Sequence, residues 1–343
     1  MFENLKHTII IAEAGVNHNG DINMAKQLID AASEAGADYV KFQSFKAESL
    51  VSEKAVLAEY QKTNTNNEVQ SQFEMLKQLE LSEAAHLELK AYATSKQIKF
   101  LSTAFDTYYV NFLNQLGIDF FKVPSGEITN LPYLETIAST KLPVIISTGM
   151  ADMKEIEDAI HVFLNLGYNK SEIIVLHCNT QYPTLAEDVN MNAMLTIKNT
   201  FGVKVGYSDH TLGLEASLAA VALGASVIEK HFTLSKSLPG PDHLASLEPN
   251  ELKQLVSSIR VIEKMMGSSE KKPTASELPN KSIARKSVHA ANALNEGDII
   301  AFNNLVFLRP GTGISPIHYR ALIGKKIKYP IEKGAILKWE DFE

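Results

Sequence analysis

Residues 7–43 read HTIIIAEAGVNHNGDINMAKQLIDAASEAGADYVKFQ, and this stretch sets the pattern of the whole chain. It opens with a run rich in apolar and β-branched residues, which is typical of a strand buried on both faces. Asp21 can then cap a helix whose apolar residues recur at helical spacing, and Gly36 can end that helix. The run Asp38–Gln43 predicts the next strand.

The same alternation of strand and helix continues along the chain. Eight short apolar runs are separated by helix-like segments, and each run ends on polar or charged residues. Strands that alternate with helices form a parallel sheet, and eight such units predict a (β/α)8 TIM barrel. In that fold the catalytic groups lie at the carboxyl ends of the strands. The polar residues at the predicted strand ends are Glu13, Lys41, Gln43, Thr103, Lys122, Ser125, Glu127, Ser147, His177, Asn179, Ser208, His210 and His231.

Composition narrows the function class. The chain has 343 residues, is 45% hydrophobic and carries a formal charge of −7, so it can form one barrel and a small extra domain. The acidic balance argues against general binding to nucleic acid or to an anionic membrane surface. With Cys178 as its single cysteine, the chain has no intrachain disulfide framework. We therefore expect a cytoplasmic protein in a reducing compartment.

Three segments divide the chain. We expect the barrel to occupy residues 1–267 and to end with the helix Glu251–Met266, whose apolar residues form one face. Residues 268–284 are polar and contain prolines, which predicts a linker. Residues 285–343 contain two similar segments, LNEGDIIAFNNL and IEKGAILKWEDF. This repetition predicts a small β-rich domain with an internal two-fold pattern.

Two lysines and several hydroxyls meet on the predicted catalytic face. Buried lysines are costly without an anionic partner, so Lys41 and Lys122 could form structural ion pairs in the barrel mouth. We favour an anion site, because ammonium and hydroxyl groups together suit a phosphate and a carboxylate. The hydroxyls are those of Thr103, Ser125, Ser147 and Ser208.

His210 and His231 end the last two strands. A lone histidine is more often a packed core group, but two on neighbouring strand ends favour a divalent ion. With no cysteine close by in the predicted fold, an open site for an Mn²⁺-like ion is expected rather than closed structural zinc. Glu13 or Asp242 could add a carboxylate.

Other polar groups keep two interpretations. His177 either packs or lines the pocket, His18 is expected to cap its loop, and Tyr182 belongs to the core or to the pocket. The rigid loop LPGPDHLAS, residues 238–246, is either an ordinary turn or a device that holds sugar hydroxyls. The FLRPGTGIS turn, residues 307–315, contains Arg309, which matters only if the small domain reaches an active site.

These strings resemble the sialic acid synthase family, which includes N-acetylneuraminate, legionaminate and pseudaminate synthases. The motifs are AEAGVNHNGD, VKFQSFKAESL, KVPSGEITNLPYL, IISTGMA, LHCNTQYPT, GYSDHT, IEKHFTL and GPDHLASLEP, and they span most of the chain. The tail with LRPGTGISP resembles the antifreeze-protein-like (SAF) domain of these enzymes. The resemblance implies condensation of phosphoenolpyruvate with an N-acetylated amino sugar and release of phosphate. The resemblance implies that the sugar is N-acetylmannosamine or its 2,4-diacetamido-6-deoxy analogue.

The resemblance also implies roles for single residues. His210 and His231 would hold the metal, expected to be Mn²⁺ with Mg²⁺ or Co²⁺ as alternatives, and Glu127 would position or deprotonate a water. Arg309 would reach the sugar site of the other subunit in a domain-swapped homodimer. Phosphoenolpyruvate would be held by Lys41, Thr103, Lys122, Ser125, Ser147, Asn179, Thr180 and Ser208. The amino sugar would face Glu13, Gln43, Asn67, Tyr182 and Asp242.

Two rival functions remain at this point. A barrel with buried lysines could be a Schiff-base aldolase that uses Lys41 or Lys122 as nucleophile. Alternatively, the chain could be a sugar-binding protein without catalysis. The combined lysines, hydroxyls and histidines argue against the second rival, because binding alone does not require a metal beside an anion site.

Overall fold

The computed structural model describes residues 2–52, 55–56 and 71–343. Its contacts divide the chain into two compact units, Met1–Gly267 and Ser268–Glu343. Within the described ranges, no helix is both long enough and apolar enough to cross a membrane. The two units are described separately below.

The first unit contains eight parallel strands. They pair in the order β3-β2-β1-β8-β7-β6-β5-β4, and β3 and β4, at the two ends of this order, lie next to each other. The sheet is therefore a nearly closed barrel, and the predicted TIM-like fold is confirmed. The strands are β1 Ile9–Gly15, β2 Tyr39–Ser44, β3 Lys99–Ala104, β4 Phe121–Val123, β5 Val144–Ser147, β6 Ile173–Cys178, β7 Lys204–Asp209 and β8 Val227–His231.

Helices follow the strands, and local signals set their ends. The side chain of Asp21 accepts a hydrogen bond from the Asn23 amide at the start of the first helix, and Gly36 ends it with φ 80°. The described helices of this unit are α1 Ile22–Ala35, α2 Ala47–Leu50, α3 Gln72–Gln78, α4 Glu83–Ser95, α5 Thr107–Leu116, α6 Leu131–Ser139, α7 Met153–Asn165, α8 Asn192–Phe201, α9 Glu215–Ala222 and α10 Pro249–Met266.

Strand alternation determines which side chains reach the barrel interior. On β8, Glu229 and His231 line a central cavity while Lys230 does not. On β7 the same alternation brings Ser208 to the cavity and leaves Asp209 out of its lining. The barrel strands are almost entirely buried, so the polar interior groups are surrounded by a continuous apolar core.

The fourth strand is shorter than the sequence predicts. It ends at Val123, because Pro124 has no amide hydrogen to donate, and a 3₁₀ turn follows over Ser125–Glu127. Ser125 and Glu127 therefore lie in a turn beyond the strand, where successive side chains no longer alternate between two faces.

The second unit shows the predicted internal two-fold pattern. Strands β9 Ser287–Ala290 and β10 Leu305–Leu308 pair antiparallel, and Leu294 and Ile331 exchange two backbone hydrogen bonds. These two residues begin the two similar segments of the sequence. The central glycines, Gly297 and Gly334, both have φ 84°, a left-handed conformation that favours glycine.

The expected linker is only partly irregular. Residues 268–284 include helix α11, Leu278–Ala284, which has a proline in its first turn, where the missing amide is tolerated. The Gly311 amide donates to the Ser282 carbonyl, at 2.7 Å. This segment belongs by its contacts to the second unit rather than standing between the two.

Candidate active site

A cavity of about 670 Å³ lies within the barrel unit and is lined by residues at the carboxyl ends of the strands. This volume lies in the range of typical small-molecule sites. The lining includes most residues that the sequence singles out: Glu13, Lys41, Gln43, Thr103, Lys122, Ser125, Ser147, Thr180, Tyr182, Ser208, His210, His231 and Asp242.

Two lysines and two carboxylates form a buried cluster beside this cavity. Lys41 Nζ lies 2.7 Å from Glu13 Oε2 and 3.5 Å from Glu229 Oε2. Lys122 Nζ lies 2.9 Å from Glu229 Oε1, and Lys41 also donates to Thr103 Oγ1 at 2.9 Å. The two interpretations of these lysines, structural ion pairs and an anion site, do not exclude each other. The same ammonium groups pair with carboxylates and also line the cavity.

Glu229 is a charged residue of the cavity lining that the sequence analysis missed. The segment VIEKH contained the signal, because period-two alternation places Glu229 on the same strand face as His231. Burial raises the pKa of Glu229, but the charges of Lys122 and Lys41 outweigh burial and hold this pKa far below its usual range. Glu229 is therefore ionised and neutralises part of the charge on both lysines.

For Glu13, unlike Glu229, the effect of burial on the pKa outweighs the effect of the neighbouring lysine charge. Burial is the largest influence and raises the pKa of Glu13 to about 7, although the Lys41 charge acts to lower it. Glu13 also accepts a hydrogen bond from Gln43 Nε2 at 3.4 Å. The pKa of Asp242 is likewise raised by burial, to about 6. Two carboxyls in the cavity therefore titrate close to neutral pH.

Hydroxyl groups surround the lysines. Ser208 Oγ donates to Glu229 Oε1 at 2.9 Å, and Ser125 Oγ accepts from the Gly149 amide at 2.9 Å. Ser147 Oγ is buried and makes no hydrogen bond to the described residues. A buried hydroxyl without a partner is costly, so a ligand oxygen at Ser147 would satisfy it.

The two histidines lie close together. The ring centroids of His210 and His231 are 5.5 Å apart. His210 Nδ1 donates to the Asn179 carbonyl, so Nε2 carries no proton, and its long contact to Ser208 Oγ, at 3.5 Å, does not use the Ser208 proton, which goes to Glu229; the Nε2 lone pair can therefore serve as a ligand. His231 Nδ1 is buried without a hydrogen-bond partner in the described residues, and Asp242 Oδ2 lies 3.9 Å from it. This arrangement fits a cation, because two nitrogen lone pairs are available.

The electrostatics also fit metal binding. Burial lowers the pKa of His210 to about 4 and that of His231 well below its usual value, so both rings are neutral at pH 7, the form that binds metals. In the described part of the chain, no three His, Cys, Asp or Glu side chains are grouped closely enough to hold an ion. The protein would thus supply two imidazoles and leave other positions to substrate or water.

Tyr182 belongs to the cavity. Its ring stacks on His210 with centroids 4.0 Å apart and an interplanar angle of 29°, and it meets His231 edge-on at 5.7 Å. Tyr182 therefore restricts the orientation of both imidazoles while it lines the pocket.

The loop after the sixth strand separates two residues that the sequence groups together. Thr180 lines the cavity, whereas Asn179 does not. Asn179 Oδ1 accepts a hydrogen bond from the Gln181 amide at 2.7 Å, so this side chain stabilises its own loop.

Several predicted residues lie elsewhere. Glu127 is not part of the described cavity lining, and its carboxylate accepts from Asn130 Nδ2 at 2.6 Å. Asn67 lies outside the described residues. Arg309 belongs to the second unit.

Three other histidines, His177, His18 and His243, hydrogen-bond to residues of the loops. His177 Nε2 donates to the Val189 carbonyl at 2.7 Å. His18 Nδ1 accepts from the Gly20 amide at 3.0 Å, as a loop cap should. His243 does not project into the cavity beside Asp242. Instead it bonds Thr233 Oγ1 at 2.6 Å and Asn19 Oδ1 at 3.1 Å.

One side of the cavity is apolar. The segments near the second and third strands contribute it, and several of its members pack together in a small separate core with Val16 and Phe45. This apolar wall consists of Leu50, Val51, Met75, Leu76, Leu79 and Phe105.

Comparison with known proteins extends the resemblance found in the sequence. A family model described as the NeuB family matches residues 28–271, and the SAF domain matches residues 285–343. The N,N'-diacetyllegionaminic acid synthase of Campylobacter jejuni is 53% identical over 322 residues, covering 94% of this chain and 96% of its own. The protein of the same name from Legionella pneumophila is 51% identical, covering 97% and 94%.

Among solved structures, this chain is similar to the N-acetylneuraminic acid (sialic acid) synthetase of Leptospira borgpetersenii serovar Hardjo-bovis. That similarity has a TM-score of 0.72 at 37% identity and covers 80% of this chain and 90% of the other.

Proposed function

The chain belongs to the NeuB family, and from this premise we propose that it condenses phosphoenolpyruvate with an N-acetylated amino sugar and water to give a nonulosonic acid and phosphate. The observation that carries the proposal is the cavity in which Lys41 and Lys122 lie on the same barrel face as His210 and His231. An anion site beside a pair of neutral imidazoles suits a reaction that joins a phosphorylated acid to an aldehyde.

We further propose that the sugar is the 2,4-diacetamido-6-deoxy analogue of N-acetylmannosamine, so that the product is N,N'-diacetyllegionaminate. The relatives at 53% and 51% identity carry that name, whereas the N-acetylneuraminic acid synthetase structure is 37% identical. The apolar wall supports this choice, because an acetamido methyl and a 6-methyl group can be buried against it. Burying an apolar group contributes about 0.8 kcal/mol per methylene, whereas burying an unpaired hydroxyl costs about 1–3 kcal/mol.

Phosphoenolpyruvate is assigned to the lysine side of the cavity. Lys41 and Lys122 would stabilise negative charge on the departing phosphate, and the hydroxyls of Thr103, Ser125, Ser147, Thr180 and Ser208 would donate to its oxygens. The Asn179 side chain, which stabilises its own loop, has no part in this assignment.

The metal is assigned to His210 and His231, and Mn²⁺ is the expected ion. When bound, such an ion polarises a carbonyl oxygen as a Lewis acid. The protein's part is to keep both rings neutral and oriented, through burial, the Asn179 carbonyl and the stacked ring of Tyr182. Gln43, Glu13, Asp242 and Tyr182 would then contact the sugar.

The bonds change as follows. The methylene carbon of phosphoenolpyruvate forms a bond to the aldehyde carbon of the open-chain sugar, and the aldehyde oxygen takes up a proton. Water adds to the adjacent carbon, where the carbon–carbon double bond of phosphoenolpyruvate has been used to form the new bond, and loses one proton. The bond from that carbon to the phosphate oxygen then breaks, phosphate departs with the bonding electron pair, and the former water oxygen loses its second proton and becomes the ketone oxygen. We keep Glu127 as a candidate to accept the water's proton, and because Glu127 lies outside the described cavity lining we add the carboxyls within that lining, Glu13 or Asp242, as alternatives.

We propose that the enzyme works as a domain-swapped homodimer in which Arg309 completes the partner's sugar site. The described cavity lining contains no arginine, and the family resemblance assigns one to the site. Because the sugar is neutral, Arg309 would donate hydrogen bonds to an acetamido carbonyl or to hydroxyls. A lid from the partner would also exclude water from the open barrel face.

The test is an assay of the purified protein with phosphoenolpyruvate and each of two sugars, N-acetylmannosamine and the diacetamido analogue. We expect phosphate release with both, and a higher kcat/KM with the diacetamido sugar by about 10- to 200-fold, the range that one methyl-sized pocket contact provides. The product mass identifies the nonulosonic acid. No phosphate release with either sugar would refute the synthase, and a preference for N-acetylmannosamine would refute only the choice of sugar.

Borohydride trapping separates the synthase from the rival aldolase. An aldolase that forms a Schiff base with pyruvate at Lys41 or Lys122 gains a stable mass adduct on reduction. The proposed reaction forms no covalent lysine intermediate, so no adduct is expected.

A further inference from the structure

A buried ion pair lies just outside the active-site cavity. Lys230 Nζ is 2.9 Å from Asp209 Oδ2, and the two side chains are 1% and 0% exposed. Neither residue lines the cavity, because each directly precedes a cavity histidine in the chain, one just beyond β7 and the other on β8. Asp209 precedes His210, and Lys230 precedes His231.

The pairing of the two strands places these residues side by side. Asp209 and Lys230 are direct partners in the parallel β7–β8 pair, and Ser208 and Glu229 are the partners before them. The side chains of the ion pair therefore cross-link the two strands on the outer side of the barrel, one residue before the histidines whose rings lie on the inner side.

Asp209 also fixes the chain beyond His210. Its Oδ1 accepts from the Thr211 amide at 2.9 Å and from Thr211 Oγ1 at 2.7 Å, and its Oδ2 accepts from Ser217 Oγ at 2.6 Å. Lys230 Nζ donates to the Thr211 carbonyl at 2.7 Å. The residue before His210 and the residue after it are thus both held by one network.

We propose that the Asp209–Lys230 pair positions His210 and His231 to bind the divalent ion. Asp209 and Lys230 are then positioning residues of the metal site. This inference rests on the proposed function, because it assumes that the two histidines hold a metal. Groups that hydrogen-bond to metal ligands typically change metal affinity about 10- to 100-fold when removed, and we take this range as the upper scale for a pair that acts through the backbone on both sides of His210.

The rival explanation is that the pair only balances charge in the core. Removing one partner of a buried pair leaves an uncompensated charge and destabilises the fold, whereas removing both can restore stability. Stability and metal affinity therefore separate the explanations when single and double variants are compared.

The experiment measures the Mn²⁺ dissociation constant by electron paramagnetic resonance and the metal-free melting temperature of the full chain. Asp209→Asn and Lys230→Met are expected to weaken Mn²⁺ binding about 10- to 100-fold and to lower the melting temperature. The double variant should regain most of the melting temperature while its Mn²⁺ binding stays weak. A double variant that regains wild-type affinity as well would overturn the inference.

Two further variants keep the test decisive. Arg260→Met removes a different ion pair, in which Arg260 Nη2 lies 2.8 Å from Asp38 Oδ2, away from the cavity, and should leave Mn²⁺ affinity unchanged. If the single variants do not fold, Ser217→Ala removes one bond to Asp209 and should still weaken Mn²⁺ binding a few-fold. An unchanged affinity in both Ser217→Ala and the double variant would contradict the positioning role.

Measurements on the wild-type protein distinguish a failure of the proposed metal site from a failure of the positioning role. Wild type that releases phosphate but binds no Mn²⁺ would overturn the metal site of the proposed function, and the positioning role with it. If wild type binds Mn²⁺ and the Asp209 and Lys230 variants bind it with the same affinity as wild type, only the positioning role is overturned.

Discussion

Lys122 Nζ lies 2.9 Å from Oε1 of Glu229, although the two residues are 107 positions apart in the chain. Glu229 also faces Lys41, at 3.5 Å, so one carboxylate meets both ammonium groups of the predicted anion site. A substrate that brings a phosphate and a carboxylate into this cavity must interact with lysines that are already paired. We therefore expect the affinity for phosphoenolpyruvate to depend on Glu229 as well as on the lysines.

Glu229→Gln should destabilise the protein and strengthen its response to phosphoenolpyruvate. Loss of one partner of a buried ion pair costs about 3–5 kcal/mol in unfolding free energy. In the variant Lys41 keeps Glu13 as a carboxylate partner, whereas Lys122 keeps none among the described residues. The charge of bound phosphoenolpyruvate would replace the missing one, so it should raise the melting temperature of the variant more than that of wild type. Thermal melts with and without phosphoenolpyruvate measure this, with the exposed Glu34→Gln as control. Equal shifts in all three proteins would contradict the prediction.

His210→Ala and His231→Ala should each abolish tight Mn²⁺ binding. Each substitution removes one of the two imidazoles in the described cavity lining. We expect chelator to stop phosphate release and Mn²⁺ to restore it in wild type but not in these variants, as followed in a coupled phosphate assay. His161→Ala, at an exposed position, is the control and should behave as wild type. Full activity in metal-stripped wild type would refute a metal requirement.

Mixing Lys41→Ala with Arg309→Ala should restore activity that neither variant has alone. In a swapped heterodimer, one site receives both defects and the other receives neither, so activity should return up to about half per heterodimer, a value that follows from two-fold symmetry. Phosphate release after subunit exchange measures it, and each variant mixed with itself is the control. If mass spectrometry shows exchanged dimers and no activity returns, Arg309 does not act across the dimer.

His18 should make stability depend on pH between about 4 and 6.5. Burial is the main cause that lowers the pKa of His18 to about 4, while the unfolded value is 6.5. In this window the unfolded chain binds a proton that the folded protein does not, so stability falls as pH falls. The full effect amounts to about 3 kcal/mol, at 1.36 kcal/mol for each pKa unit.

The measurement for His18 is the unfolding free energy in urea at several pH values. His18→Asn keeps an acceptor for the Gly20 amide and should flatten the slope between about pH 4 and 6.5, whereas His161→Asn should not. His243 and His86 also have lowered pKa values, mainly through burial, so part of the slope will remain in the variant. An unchanged slope in His18→Asn would show that His18 does not cause it.

The sequence alone was sufficient to predict the barrel fold and most of the polar residues that line the cavity. Strand and helix periodicity is local, and a (β/α)8 barrel carries the end of every strand to the same face. Residues in the carboxyl-terminal parts of strands, such as Gln43, Ser147 and His231, could therefore be assigned to the cavity before any contact was known. The two-fold pattern of the small domain could also be predicted, because its two segments share the same sequence pattern around a central glycine.

Beyond the strand ends, the sequence was less informative. Glu127 follows a strand that stops at Val123, and the turn after it directs the Glu127 carboxylate to Asn130 instead of the cavity. Asn179 and Thr180 are adjacent, yet only Thr180 reaches the cavity lining. In turns, the direction of a side chain depends on the local dihedral angles and not on a simple period, which is why these positions could not be assigned in advance.

What the sequence determined by itself is the architecture, the face that carries the chemistry and the residue types present there. Only the tertiary structure decided which of those charges meet. Glu229 forms ion pairs with both Lys41 and Lys122, which lie on strands far from it in the chain. Asp209 forms an ion pair with Lys230 on the neighbouring strand. The physical reason is that periodicity gives the side of the sheet on which a residue lies, whereas ion pairing depends on interatomic distances of a few ångströms, which are set by strand register and packing.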